Sequence, residues 1–588
     1  HAPQVAMIDP AAGSVMAVAE ALTNIVFAPL THGLQGVSLS ANWMWPCRNP
    51  GEDARLYKAV EACSEFAGEL GINIPTGKDS LSMTQKYGDD KIFSPGTVII
   101  SAAAEVKNIR RIVSPVLAYI KGTYLYYIDF SFDTFKLGGS AFAQTMSKVG
   151  DEAPTVTDTE YFKNAFAAIQ ELTSRGLILA GHDISAGGMI TAMLEMCFAN
   201  PRGGLEAHLD KIRHADLIKV LFSENPGVLI QVKHHRLVEK ILDDYGVGFA
   251  IVARPIEERN LIIARDEFRQ EFDIDHLRDV WYKTSYLLDR KQSGEVRATE
   301  RYTNYKKQPL QFDIKPSFTG RMEDLALNPD RKERSGLTAA IIREKGTNGE
   351  REMAYSLYLA GFDVRDVHMT DLTSGRETLE DVQLAVFCGG FSNSDVLGSA
   401  KGWAGGFRYN EKAKKALENF FAREDTLSLG ICNGCQLLME LGFIFPEMGD
   451  KHPRMAHNLS HKFESTFVSV EIPKNNSVMF GSLEGTKTGI WVAHGEGRFV
   501  LPEEASMYNI AARYVYDTYP GNPNGSDYAT AAVCSANGRH LAMMPHLERT
   551  IFPWQNAYYP FAYRKHEVTP WMEAFVNARE WVKRKKSN

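Results

Sequence analysis

The stretch TLSLGICNGCQLLMELG, residues 426–442, places a strand, a sharp turn and a helix in immediate succession. Thr426 to Leu429 is the apolar-rich run of a buried strand, and Gln436 to Leu441 reads as a helix. Gly430 and Gly434 flank Cys432 at i−2 and i+2, so the backbone can turn tightly and present the cysteine at the helix N-terminus. Free N–H groups and the helix dipole there favour a thiolate and a developing oxyanion. A lone cysteine is more often a buried structural residue, but the pattern G-x-C-x-G-x-Q after an apolar strand argues for a reactive one. Cys435 completes a C-x-x-C pair, so a redox role stays open at this point.

Outward from the elbow, LTAAII from Leu337 reads as a strand and Glu350 to Ala360 as a helix. VQLAVFCGG is a further strand, and strands near Thr466 to Ile472 and Leu541 to Met544 complete an open sheet. A last helix starts after Pro570. A cysteine nucleophile needs a base and a group that orients the base. His546 follows the strand HLAMM, and Glu548 two residues on can meet its far nitrogen, as in a triad with glutamate as third member. His494, in AHGEGR, competes for the role of base. Backbone N–H groups of Gly389-Gly390-Phe391-Ser392, with that of Asn433, are candidates for an oxyanion hole.

The chain of 588 residues, 44% hydrophobic and 23% charged, has the composition of a globular protein. It has room for about three or four domains. A net charge of −7 gives no support for nucleic-acid binding, and Lys583 to Lys586 reads as a solvated helix end. The seven cysteines are too scattered for a disulfide framework, and no second pair completes a zinc site. No apolar run is long enough to span a membrane and no signal peptide is evident, so the cytosol is the expected compartment. The chain begins at His1 rather than Met, and the natural start is expected to be missing.

Before the elbow, residues 1–122 read as one domain. Val15, Val18, Ala19, Leu22, Ile25 and Val26 recur at helical spacing, leaving Glu20 and Asn24 one turn apart on the opposite face. Ala54 to Leu70 is a second helix ended by Gly71, Gly77-Lys78-Asp79-Ser80 a polar turn, and Thr97 to Ala104 a strand. Residues 123–258 alternate strands and helices, with the loop His182-Asp183-Ile184-Ser185-Ala186-Gly187-Gly188 between strand LILA and helix MITAMLEMCFAN. Residues 259–334, charged and with Pro309, Pro316 and Pro329, read as a linker with short helices at most. Residues 335–588 form the elbow-bearing domain. Glu20 and Asn24 could share a hard cation with Asp183; a solvated helix face and a helix-capping Asp are the commoner explanation of such residues.

The motifs GICNGCQ, MMPHLER, CGGFSNSDVLG and VAHGEGR together resemble the triad-type (class I, flavodoxin-like) glutamine amidotransferases. More narrowly, residues 335–588 resemble the glutaminase domain of the formylglycinamide ribonucleotide amidotransferases, purine-pathway ligases. The resemblance implies Cys432 as nucleophile, His546 as base and Glu548 as its orienter, releasing ammonia and glutamate from glutamine through a thioester. Cys435 falls at a variable position and is implied to be structural. AEALTNI, LSANWM, PGEDARLY, GKDSLSM and GHDISAGG resemble the second half of the synthetase region of the same family, an ATP-binding unit shared with aminoimidazole ribonucleotide synthetase.

Carried over, Glu20, Asn24 and Asp183 match Mg²⁺ ligands and Ser185 a nucleotide contact. In the large single-chain members this half holds an auxiliary nucleotide (ATP or ADP). A further family ligand, an Asp on the opening strand, would lie upstream of His1, and Ala186 stands where an Asp is common. The implied architecture is α/β and α+β multidomain. The implied function is ATP- and glutamine-dependent amidine formation on formylglycinamide ribonucleotide, shared with a missing amino-terminal half of the enzyme. A cysteine hydrolase with the same triad, or a non-catalytic nucleotide-holding scaffold, are the alternative readings.

Overall fold

Asp9 and Pro10 start the first long helix, Pro10–Ile25. The Asp9 carboxylate accepts N–H bonds from Ala11 and Ala12, and Pro10 sits in the first turn, where its missing N–H costs nothing. The structure is a computed structural model that describes residues 1–587; the chain forms two units, His1–Tyr282 and a second beginning at Lys283. In the first unit, Val18, Ala19 and Leu22 of this helix are buried in one core with Phe66, Tyr126 and Phe162.

A three-stranded sheet has Ser38–Met44 at its centre, parallel to Asn73–Ser80 and antiparallel to Thr97–Ala103. Gly77 to Ser80, expected as a polar turn, are strand residues. The strand is exposed along most of its length, so it lacks the apolar alternation that marks a strand in sequence. Gly77 is needed there for close approach, because a Cβ would lie 2.0 Å from the Ala41 carbonyl oxygen.

A seven-stranded sheet follows, in the order Phe268–Asp273, Asn260–Arg265, Gly204–His208, Phe249–Ile256, Tyr124–Asp129, Gly227–Val232, Ile178–Asp183. Tyr126 and Ile128 bury on one face against the helix Thr159–Ser174. Leu125 and Tyr127 bury on the other, against the helix Gly188–Phe198. The alternation of partners follows from the period of two along a strand.

The expected linker 259–334 is corrected at its start. Asn260–Arg265 and Phe268–Asp273 pair as a hairpin on this sheet. Leu261 and Ile263 are fully buried, while Phe268–Asp273 is an edge strand with its charged side chains in water. Ile274–Asn304 is then helical, broken at Gly294 with φ 77° and ψ 165°. A solvated edge and a solvated helix carry the charge that imitated a linker.

In the second unit a nine-stranded sheet runs in the order Asp363–His368, Thr338–Arg343, Leu384–Phe387, Leu427–Ile431, His540–Met543, Thr530–Cys534, Asn509–Tyr514, Glu464–Glu471, Lys487–His494. The first five strands are mutually parallel, and in chain order their arrangement is 2-1-3-4-5, the flavodoxin-like order. The remaining four are antiparallel. Leu427–Ile431 is buried at every position and lies mid-sheet, so whatever follows it emerges at the carboxyl edge of the parallel strands. Asp289 joins this unit through Lys462 at 3.0 Å and Arg301 at 3.2 Å, and Arg301 reaches Glu464 at 3.2 Å.

Candidate active site

The chain leaves Leu427–Ile431 and enters the helix Asn433–Leu441 through a single residue, Cys432, with φ 51° and ψ −107°. That is a costly conformation for a side chain with a Cβ. The main chain holds it: Cys432 N–H donates to Met543 O at 2.9 Å, and Gln436 N–H donates to Cys432 O at 3.0 Å. Small flanking residues are obligatory, since a Cβ on Gly434 would stand 2.0 Å from the Phe387 carbonyl oxygen. Cys432 is 5% exposed, and its Sγ lies 3.8 Å from Ala493 O.

His546 comes in beside it from the end of the neighbouring strand, its N–H donating to Trp491 O at 2.9 Å. His546 Nδ1 lies 2.7 Å from Glu548 Oε1, with both side chains 2% exposed. The other ring nitrogen is buried without a hydrogen-bond partner, and the ring lies near enough to Cys432 for each group to shift the other. Gly389 closes the same spot: a Cβ on it would lie 3.0 Å from His546 Cε1 and 3.3 Å from Cys432 Cβ. The sequence-expected trio Cys432, His546 and Glu548 is therefore gathered in one buried place.

The electrostatics follow from that packing. Burial pushes the Cys432 thiol up, but hydrogen bonds from His494 and His546 and the imidazole charge outweigh it and bring the thiol to about 5. Burial works against a charged His546, yet the Glu548 carboxylate and the bond to Cys432 raise it to about 9. Both shifts favour the thiolate–imidazolium form of the pair. Cys435 goes the other way, pushed up by burial and then by the charge on Cys432, which argues against a redox partnership.

Of the expected oxyanion donors, two are already engaged. Phe391 N–H donates to Gly346 O at 2.9 Å, and Ser392 N–H to Asn433 Oδ1 at 3.2 Å. Gly389 pairs with Asn348 and Gly390 with Thr347 in a short antiparallel ladder, so Gly390 and Asn433, at the start of its helix, are the remaining candidates. Asp395, Ser399 and Glu496, which sequence reasoning missed, tie this wall together with Asn433 and Gln436. Asn433 Nδ2 donates to Asp395 and Gln436, and Gln436 Nε2 donates to Glu496 O at 2.7 Å. Ser399 N–H donates to Glu496 at 3.3 Å.

In the first unit, Asn24 and Asp183 line one cleft of about 590 Å³, with apolar walls that include Phe27, Ala103 and Val113. Glu20 lies close enough for its charge to act on Asp183, whose carboxyl is raised by burial first and then, against the His182 imidazole, by Glu20. Two carboxylates and an amide are hard oxygen donors suited to Mg²⁺, and a cation would relieve that repulsion. Among the described residues no three His, Cys, Asp or Glu side chains gather as a metal group. Ser185 sits in the loop before Gly188–Phe198, its carbonyl accepting from Gly188 N–H at 3.0 Å, and does not line the cleft. Glu224, which the sequence reading missed, pins this loop by accepting from Gly187 and Ala141 N–H, each at 2.7 Å. Its position in the polar run Ser223-Glu224-Asn225-Pro226 was the available signal.

Comparison with known proteins now bears on these sites. Family models match in three places: the FGAR-AT PurM_N-like domain over residues 1–105, the AIR synthase related protein, C-terminal domain over 133–265, and the CobB/CobQ-like glutamine amidotransferase domain over 337–582. The probable phosphoribosylformylglycinamidine synthase, chloroplastic/mitochondrial, of Arabidopsis thaliana is 38% identical over 604 residues, covering 98% of this chain and 42% of its own length. Phosphoribosylformylglycinamidine synthase of Homo sapiens is 37% identical over 614 residues, covering 99% of this chain and 45% of its own. Among solved structures, PurLQS from Thermotoga maritima covers 42% of this chain and 99% of its own at 25% identity, with a TM-score of 0.33, an agreement too low to carry a conclusion. On the strength of the sequence matches, the chain is similar over nearly all of its own length to phosphoribosylformylglycinamidine synthases and spans slightly under half the length of the relatives it matches.

Proposed function

We propose that the second unit is a glutaminase, and that its ammonia serves an ATP-dependent conversion of formylglycinamide ribonucleotide to the amidine. The observation that carries this is the His546–Glu548 pair at 2.7 Å, beside a thiol at a strained elbow. The Cys432 thiolate attacks the side-chain carbonyl carbon of glutamine, and the oxyanion is met by the N–H groups of Asn433 and Gly390. The His546 imidazolium then gives its proton to the leaving nitrogen, freeing ammonia and leaving a thioester. The imidazole next takes a proton from water as hydroxide adds to the thioester, and collapse releases glutamate and restores the ion pair.

In the coupled reaction ATP phosphorylates the amide oxygen of the acceptor, and ammonia displaces the phosphate. This step draws on family sequence outside the segment matched here. Glu20, Asn24 and Asp183 would hold Mg²⁺ with an auxiliary nucleotide in the cleft, where the ion supplies counter-charge to the phosphate oxygens. Ser185 would act from the adjoining loop. The domain limits proposed are 1–122 and 123–273 for the synthetase half, with the glutaminase sheet from 335. Among the described residues no helix is long and apolar enough to cross a membrane. The seven cysteines are all free, which fits a reducing compartment such as the cytosol.

The test is glutamate release from glutamine by the wild type and by Cys432→Ala. Loss of release in the variant is expected. Equal rates in the two proteins overturn the assignment, and cleavage of peptides in place of glutamine favours the rival cysteine hydrolase.

A further inference from the structure

A second histidine reaches the nucleophile, and the triad does not use it. His494 ends the strand Lys487–His494 and is 3% exposed. Its carbonyl accepts from Asn458 Nδ2 at 2.7 Å, and Sγ of Cys432 rests against the carbonyl of the preceding residue, Ala493. His494 Nδ1 is buried without a hydrogen-bond partner, and the ring lies near enough to the Cys432 sulfur to lower the thiol.

The far side of the ring is fixed by Asn524. The orientation of this amide is settled by Gly497, whose carbonyl can only accept and lies 2.7 Å from Asn524 Nδ2. The same nitrogen stands 2.7 Å from His494 Nε2, closer than the amide oxygen at 3.0 Å and closer than its other neighbour, Tyr514 Oη, at 3.3 Å. An amide that donates to Nε2 makes that nitrogen an acceptor, so the single proton of the imidazole sits on Nδ1, facing sulfur. Among the described residues no carboxylate pairs with His494. Glu464, opposite it in the adjacent strand, is taken by Arg301 at 3.2 Å and Tyr519 Oη at 2.9 Å. The two histidines thus differ in kind: a carboxylate backs His546 and an amide backs His494.

We infer that His494 holds the Cys432 thiolate through an Nδ1–H donor whose tautomer Asn524 sets, leaving His546 as the group that moves protons. This rests on Cys432 being the nucleophile. The depressed thiol agrees, since the bond from His494 stands ahead of the bond from His546 among the influences that oppose burial. The other titratable groups around the sulfur are His546 with Glu548, Cys435 on the elbow helix, and Tyr514.

The experiment follows alkylation of Cys432 by iodoacetamide against pH in the full chain, read on the Cys432 peptide by mass spectrometry. In His494→Leu the midpoint rises by about one to two pH units, the worth of one charge-assisted hydrogen bond. In His494→Asn, which keeps an N–H near the place of Nδ1 and nearly the shape of leucine, at least half of that rise is recovered. Midpoints that stay at the wild-type value, or that rise equally in both variants, overturn the inference. If the wild-type Cys432 itself titrates in the ordinary thiol range, the nucleophile assignment fails first, and this inference with it. Should the leucine variant not fold, ¹⁵N shifts of the wild-type imidazoles decide, with His494 assigned by its loss in the asparagine variant. An Nδ1–H tautomer supports the inference and an Nε2–H tautomer overturns it.

Discussion

Replacing Glu548 by glutamine keeps the shape and one acceptor oxygen at the far side of His546 but removes the charge. The bond concerned is short, 2.7 Å, and has no bulk water to replace it, because both partners are 2% exposed. A hydrogen bond to a charged group contributes about 1.5–3 kcal/mol. A step that needs the imidazolium should therefore slow by roughly ten- to a hundred-and-fifty-fold, at about 1.36 kcal/mol per tenfold. The loss should fall on kcat, since Glu548 lies behind the histidine and does not face glutamine. The assay is glutamate release at saturating glutamine, with thermal denaturation run alongside to show that the fold is kept. A folded Glu548→Gln protein within about threefold of the wild-type kcat, inside the scatter expected of a neutral change, refutes the idea that the carboxylate sustains the pair.

The glutaminase rate should be bell-shaped in pH: the thiolate is lost as pH falls through about 5, and the proton needed by the leaving nitrogen is lost as pH rises through about 9. A flat profile between those limits and a fall outside them is the expected record of initial rates. Gly434→Ala drives a Cβ to 2.0 Å from the Phe387 carbonyl and should cost about 1–3 kcal/mol of stability, seen as a lower denaturation midpoint. Asp289→Ala leaves Lys462 and Arg301 facing each other and should cost about 1–3 kcal/mol, measured by urea titration of the second unit. Asp183→Asn should abolish the stabilisation that Mg²⁺ with ADP gives the wild type, about 2.7 kcal/mol when ligand stands at a hundred times Kd, read as a thermal shift with and without the metal.

What could be read ahead of the structure was what lies close together in sequence. The elbow and the H-x-E pair each sit within a few residues, so chemistry and spacing were visible at once, and the parallel strands were apolar runs except for the edge strand Asp363–His368, whose charged sequence hid it. Asn524 was not legible, because the turn that carries it reaches His494 only through tertiary packing. Glu224 was hidden in the same way, since its two bonds run to loops distant in the chain. The hairpin at 260–273 was misread because an edge strand and a solvated helix have the composition of a linker. The strand at Gly77 was misread because nothing covers it to impose a period of two.

Cys432 owes its acidity to residues that are translated long after it. His494 closes one strand of the sheet and His546 follows another near the chain's end, and burial by itself would make the thiol less acidic than an ordinary one. During synthesis the emerging cysteine is therefore no more reactive than any exposed thiol. Only when the strand His540–Met543 docks beside Leu427–Ile431 does the main chain lock the elbow and bring a base to it. The topology postpones arming of the nucleophile until the last structural pieces are in place, so an incomplete or nicked chain carries a harmless sulfur rather than an unguarded one.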